Sequence, residues 1–200
     1  MGVPDDGVRI RPVRPSDHRA VISVIDEWWG GRHMADMLPR LFFEHFTDTS
    51  FTAERDGELA GFLVGFRSQS RPGEAYIHFV GIHPDERGRG LGRELYERFF
   101  AAVGAQGCAL VRAVTSPVNR GSIGFHQRMG FDIEPGQAGA DGIAVAAGYD
   151  GVARTGCGSS GTWRAAARDD GQPGLRAQTR STMPSLNRSA SSTPKPSSRT

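Results

Sequence analysis

The sequence predicts a mixed α/β layer domain followed by a compositionally different tail. Three observations carry this. Short apolar runs of strand length alternate with helix-period runs from Val8 onward. An Asp56-Gly57 pair splits two β-rich runs, as a hairpin turn does. After Gly151 the aliphatic and Met/Phe content falls to Val152, Leu175, Met183 and Leu186.

The elements follow in order. "VRIRPV" (Val8 to Val13) alternates like a strand. "RPSD" breaks it, and Ser16 or Asp17 can cap a helix through "HRAVISVIDEWW", which "GGR" ends. "ADMLPRLFFEHF" reads as a second helix, begun or kinked at Pro39. The hairpin is "SFTAERDGELAGFLVGF". "EAYIHFVGI" (Glu74 to Ile82) is a near-continuous apolar run, the mark of a central strand buried on both faces. A helix with Leu91, Leu95 and Phe99 on one stripe follows, closed by Gly104 and Gly107. "CALVRAVT" is a strand, "SPVNRGSIGFHQRMG" a short helix ended by Gly130, and "FDIEP" a strand.

Charge divides the chain at the same place. Residues 152 to 200 carry seven Arg and one Lys against two Asp, while the whole chain is only +2, so residues 1 to 151 are net negative. The expected organisation is a folded domain over 1–151 and a low-complexity, disordered basic tail over 152–200. The change is abrupt enough that a slipped reading frame after Gly151 accounts for it better than a genuine basic segment. Cys108 and Cys157 form no zinc spacing or disulfide framework, so no metal is expected and a reducing, cytoplasmic setting is. No apolar run approaches the ~20 residues of a membrane span.

"RGRGLG" (Arg87 to Gly92) joins a strand to a helix. A helix start leaves four N–H groups unpaired, glycines let a ligand approach the backbone, and Arg87 and Arg89 add positive charge. The result is an anion site suited to phosphates, or else merely a solvated basic helix start. A Walker A loop is excluded, because no Lys or Ser/Thr follows Gly92. A dinucleotide-binding oxidoreductase would need a third glycine where Leu95 stands, and an acid about 20 residues on where "ALVRAV" stands. A nucleic-acid-binding role through the turn and tail lacks interleaved aromatics, and the folded part is negative.

The turn resembles the signature of the GNAT superfamily of N-acyltransferases: Arg87, two residues, Gly90, one residue, Gly92, preceded by "GIHPDE". "NRGSIGFHQRMGF" (Asn119 to Phe131) is similar to that superfamily's second signature, an Asn at a helix start and Gly-Phe at its end. The resemblance covers about residues 8 to 150. It implies a mostly antiparallel central sheet with helices on both faces, here with the usual final strand missing. It implies an acetyl-CoA-dependent N-acetyltransferase in which an amine attacks the thioester directly. The pyrophosphate would lie on the backbone of Arg87, Gly88, Arg89, Gly90, Leu91, Gly92 and Arg93. The pantetheine arm would lie along Val80, Gly81 and Ile82, with Asn119 touching it. The superfamily commonly places a Tyr acid seven residues after that Asn, where this chain has His126. His126 is therefore the expected acid, or alternatively a packing histidine. His78, sharing a face with Val80 and Ile82 by strand alternation, is the expected base acting through water, or alternatively structural. Glu74 is a weaker base. The acceptor is a small-molecule or protein amine. Asp26, Glu27, Asp36, Trp28 or Trp29 could line its side, unless the tryptophans are core and the acids solvated.

Overall fold

The computed structural model describes residues 7–115, 119–133, 137–138, 144–145 and 161–166. All fall in the unit Met1–Asp170. The chain order is β1 (Val8–Pro12), α1 (Asp17–Trp28), α2 (Leu41–His45), β2 (Phe51–Arg55), β3 (Glu58–Arg67), β4 (Glu74–Ile82), α3 (Leu91–Ala105), β5 (Leu110–Thr115), α4 (Arg120–Arg128) and β6 (Asp132–Ile133). β7 (Gln137–Ala138) and β8 (Ala144–Val145) form a small separate ribbon, and β9 (Gly161–Ala166) returns to the main sheet. The sheet runs β1-β2-β3-β4-β5-β9-β6, and every neighbouring pair is antiparallel except β4 with β5.

Helices cover both faces, because the sheet has two apolar faces to bury. On one face α3 buries Leu91, Leu95, Tyr96, Phe99, Phe100 and Val103 against Leu63, Ile77 and Val111. On the other, α1 buries Val21, Ile25 and Trp28, at helical spacing, beside Phe43, Phe62 and Phe79. Gly65 makes the α3 contact possible, since a Cβ there would stand 2.4 Å from Phe99 Cε2. The β2–β3 turn has positive φ at both Asp56 (51°) and Gly57 (86°), as a type I′ hairpin requires.

Three expectations are corrected. Ser16 makes no side-chain cap; Asp17 instead accepts from Arg14 N at 2.7 Å and pairs with Arg11. The second helix is broken into a 3-10 turn (Ala35–Met37) and α2. Pro39 forces this: Leu38 before it sits at φ −124°, ψ 71°, outside the helical region. Finally, a strand does follow residue 151. β9 pairs antiparallel with β5 on one side and β6 on the other. Without it β5 would carry a bare edge from Leu110 to Thr115, and backbone groups on both sides of β9 gain partners. The other residues of the expected tail, like Cys157, lie outside the described set.

Candidate active site

β4 changes character at His78. Below it, β4 pairs with β5 from Glu74↔Leu110 to Ile77↔Ala113, and there the parallel pairing stops. On its other edge β4 pairs with β3, but Gly65 faces Ile77 and Val64 faces Phe79. His78 is therefore an extra residue, a β-bulge at the point where β5 departs. The bulge reverses the alternation expected for this strand. Ile77, Val80 and Ile82 belong to the α3 side, whereas Phe79 lies in the α1 cluster. His78 stacks on Phe42 of α2 at 4.4 Å. His78 thus does not share a face with Val80 and Ile82, contrary to the expectation from period-2 alternation.

The open edge of β4 offers backbone groups. His83 N donates to Ala60 O at 2.9 Å, so the N–H groups of Gly81 and Phe79 also point toward β3. Those of Val80 and Ile82 point toward the opening. Gly81 contributes space rather than a hydrogen bond there. A Cβ at this position would lie 2.6 Å from Phe62 Cε1 and 2.9 Å from Trp29 Cη2.

The turn between β4 and α3 has the geometry of an anion cradle. Gly88 and Gly90 hold φ of 79° and 93°, with no atom within 4 Å of either added Cβ. Gly90 caps α3 without a side chain, and the first helical backbone bond is Glu94 N to Gly90 O. The earlier N–H groups, through Arg93, are left for a ligand. Gly92 brings the first turn of α3 against α4, its added Cβ 3.4 Å from Phe125 and 3.8 Å from Ile82.

The arginines divide the work differently from expectation. The Arg87 guanidinium donates to Ile82 O (3.2 Å) and Trp28 O (2.8 Å), tying α1 to the end of β4. Arg89 is 61% exposed and stands 3.6 Å from Glu86, and Arg93 is exposed. Glu86 is buried behind the turn, and Arg55 grips both its oxygens at 2.9 and 3.1 Å. That Arg55 bond holds the Glu86 carboxyl below the usual range, so it is ionised but neutralised. Sequence reasoning missed the Arg55–Glu86 pair because 31 residues separate its members.

α4 begins at Asn119, whose Oδ1 accepts from Ser122 N at 3.1 Å. His126, expected as the acid, is instead 3% exposed. Its Nδ1 lies 2.8 Å from Ser122 O, and a carbonyl only accepts, so Nδ1 carries the hydrogen. Burial depresses its pKa and keeps the ring neutral, so Nε2 is an acceptor, 3.1 Å from the fully buried Tyr96 hydroxyl. Both nitrogens are engaged inside the core, and Nε2 has no proton to give. The imidazole is shorter than the tyrosine that the resemblance implies at this position, and Tyr96 lies beyond its Nε2.

His78 Nε2 donates to Met37 O at 2.8 Å, which places its basic lone pair on Nδ1. Glu74 is removed from the base candidates. It is bound by Arg112 at 2.7 Å, at the closed end of β4. Trp28 is buried against Phe62 and His83. Trp29 is half-buried against Phe62 and Phe79. Asp26 fastens the loop after α1, accepting from Met34 N and Ala35 N at 2.7 and 2.9 Å. No helix among the described residues is long and apolar enough to cross a membrane.

A family model described as the acetyltransferase (GNAT) family matches residues 18–131. An acetyltransferase of Pectobacterium atrosepticum is 30% identical over 130 residues, covering 62% of this chain and 88% of that one. The L-2,4-diaminobutyric acid acetyltransferase of Nocardia farcinica is 32% identical over 83 residues, 42% of this chain and 43% of that one. Among solved structures, Ard1 from Thermoplasma volcanium superposes with a TM-score of 0.65 at 18% identity, over 82% of this chain and 99% of that one. The alternatives of an oxidoreductase module or a nucleic-acid binder find no support. The chain belongs to the acetyltransferase (GNAT) family and is an acyltransferase with acetyl-CoA as its acyl donor.

Proposed function

We propose that this enzyme holds acetyl-CoA across the opening between β4 and β5 and passes the acetyl group to the amine of a small molecule. The observation that carries this is the coincidence at His78: β4 gains a residue where β5 departs, and the glycine turn lies at the far end of the opened edge. The backbone from Gly88 to Arg93 binds the pyrophosphate, with Arg89 and Arg93 supplying charge. Val80 and Ile82 bind the pantetheine arm, and an N–H on that edge polarises the thioester carbonyl. The Asn119 side-chain NH2, not used in capping α4, reaches the arm. His78, through a water, takes the proton from the attacking amine. The small-amine acceptor follows relatives such as the diaminobutyric acid enzyme. Use of acetyl-CoA and the absence of a cysteine framework in the sequence favour the cytoplasm.

A melting assay tests the coenzyme site. With Kd of ~10 μM, 1 mM acetyl-CoA stabilises the fold by about 2.7 kcal/mol. Gly90→Asp and Arg89→Glu each remove most of that shift while the free proteins keep their circular dichroism. A melting temperature of the unaltered protein that ignores acetyl-CoA overturns the assignment.

A further inference from the structure

Thr115 closes β5, two residues beyond its last pair with β4. Its hydroxyl reaches Ser122 Oγ at 3.1 Å, across the three residues that separate β5 from Asn119. His126 Nδ1 lies 3.3 Å from the same oxygen. That nitrogen carries a hydrogen already directed at Ser122 O, so toward Ser122 Oγ it can only donate. Ser122 Oγ is thus an acceptor twice over, from Thr115 and from His126. A hydroxyl that accepts on both lone pairs still has its own hydrogen to give. Among the described residues no further acceptor meets it. Ser122 is half-buried in the first turn of α4, beside Asn119 and on the β5 side of the opening.

We infer that Ser122 is the residue that donates a hydrogen bond to the coenzyme sulfur as the thioester breaks, with Thr115 and His126 as the positioning residues that turn its hydrogen outward. The inference rests on the coenzyme lying in the β4–β5 opening. The balance is simple. The amine lone pair forms the C–N bond, the C–S bond breaks, and its electron pair leaves on sulfur. The proton shed by nitrogen passes through water and finally reaches the thiolate, giving amide and thiol. Ser122 stabilises the thiolate and ends with the proton it began with. This supplies a donor in place of the tyrosine acid that the resemblance implies. His126 is buried with both ring nitrogens engaged, but it holds a serine one helical turn back on the β5 side of the opening.

The test uses the full chain and Ser122→Ala, with Ser122→Thr as the conservative variant. The expected result is a fall in kcat of about 10- to 100-fold for Ser122→Ala, with an unchanged KM for acetyl-CoA and partial recovery in Ser122→Thr. The second readout is the thiol pKa of bound coenzyme A, followed by thiolate absorbance. It is expected to be about one unit or more higher in Ser122→Ala than in the unaltered enzyme. A Ser122→Ala enzyme with kcat within twofold of the original, or with the same bound-thiol pKa, overturns the inference. Failure of the coenzyme placement is told apart by the melting shift with coenzyme A. That shift is retained in Ser122→Ala if only the serine's role is wrong, and is missing from the unaltered enzyme if the placement is wrong.

Discussion

The two halves of β4 are built to opposite ends. From Glu74 to Ile77 the strand is paired on both edges, and Glu74 is locked to Arg112 across to β5 at 2.7 Å. From Phe79 to Ile82 it pairs, among the described residues, only with β3, and its other edge offers polar groups to whatever enters. The closed half is stabilised by what it already contacts. The open half leaves backbone groups unpaired inside the sheet, an arrangement tolerated where a ligand supplies the partners. Stability and binding are therefore separable along a single nine-residue strand.

Four changes test this contrast. The largest effect is expected from removing residues 152–200. That deletion takes β9 from between β5 and β6, so the closed half rests on a β5 with a bare edge. The melting temperature should fall further than for any substitution below, whereas deleting only residues 171–200 should leave it nearly unchanged; parallel thermal melts decide. Next comes Gly81→Val in the open half. Its added Cβ meets Phe62 and Trp29 well inside contact distance, which should cost about 1–3 kcal/mol in a denaturant titration.

A smaller effect is expected from Arg87→Ala. It removes the donor to Ile82 O and Trp28 O and should cost roughly 1 kcal/mol. Because the phosphate-binding groups in the proposed site are backbone N–H groups, acetyl-CoA affinity measured by calorimetry should change less than tenfold. The smallest effect belongs to the closed half. Hydrogen bonding to Arg112 lowers the Glu74 pKa. A depressed carboxyl contributes stability that is fully present above the unfolded value near 4.3 and is lost as pH falls through the lower folded value. Glu74→Gln should therefore lower stability slightly at pH 7, by less than about 1 kcal/mol, and should flatten the acid limb of stability against pH. Equal acid sensitivity in the two proteins would show that Arg112 stabilises nothing there.

Local signals were legible in the sequence and long-range ones were not. Asp56-Gly57 names its own turn, because two positive φ angles in succession favour those residue types. "RGRGLG" likewise reads as a ligand-binding helix start, since positive φ and a bare backbone are properties of the segment itself. The role of Arg87 depends on a carbonyl 59 residues earlier in the chain, and that of His126 on a hydroxyl 30 residues earlier. Spacing alone carries no trace of either. The face of His78 was misread because a bulge shifts the count without changing the composition. β9 was missed because a six-residue strand is diluted in an average over a long polar segment, and its stability comes from its neighbours.

The bulge at His78 has a consequence for how this site can be lost. A bulge is specified by how many residues the strand contains, not by which residue occupies the extra place. Every substitution at position 78 leaves the count intact and the opening with it. Deleting that one residue restores strict alternation: Val80 and Ile82 keep their face, but the irregularity at which β4 parts from β5 is lost. The shape of the opening is therefore tolerant of point change at its centre, where only the proposed base would be lost, and intolerant of a three-nucleotide deletion there. Its most sensitive information is the length of a strand.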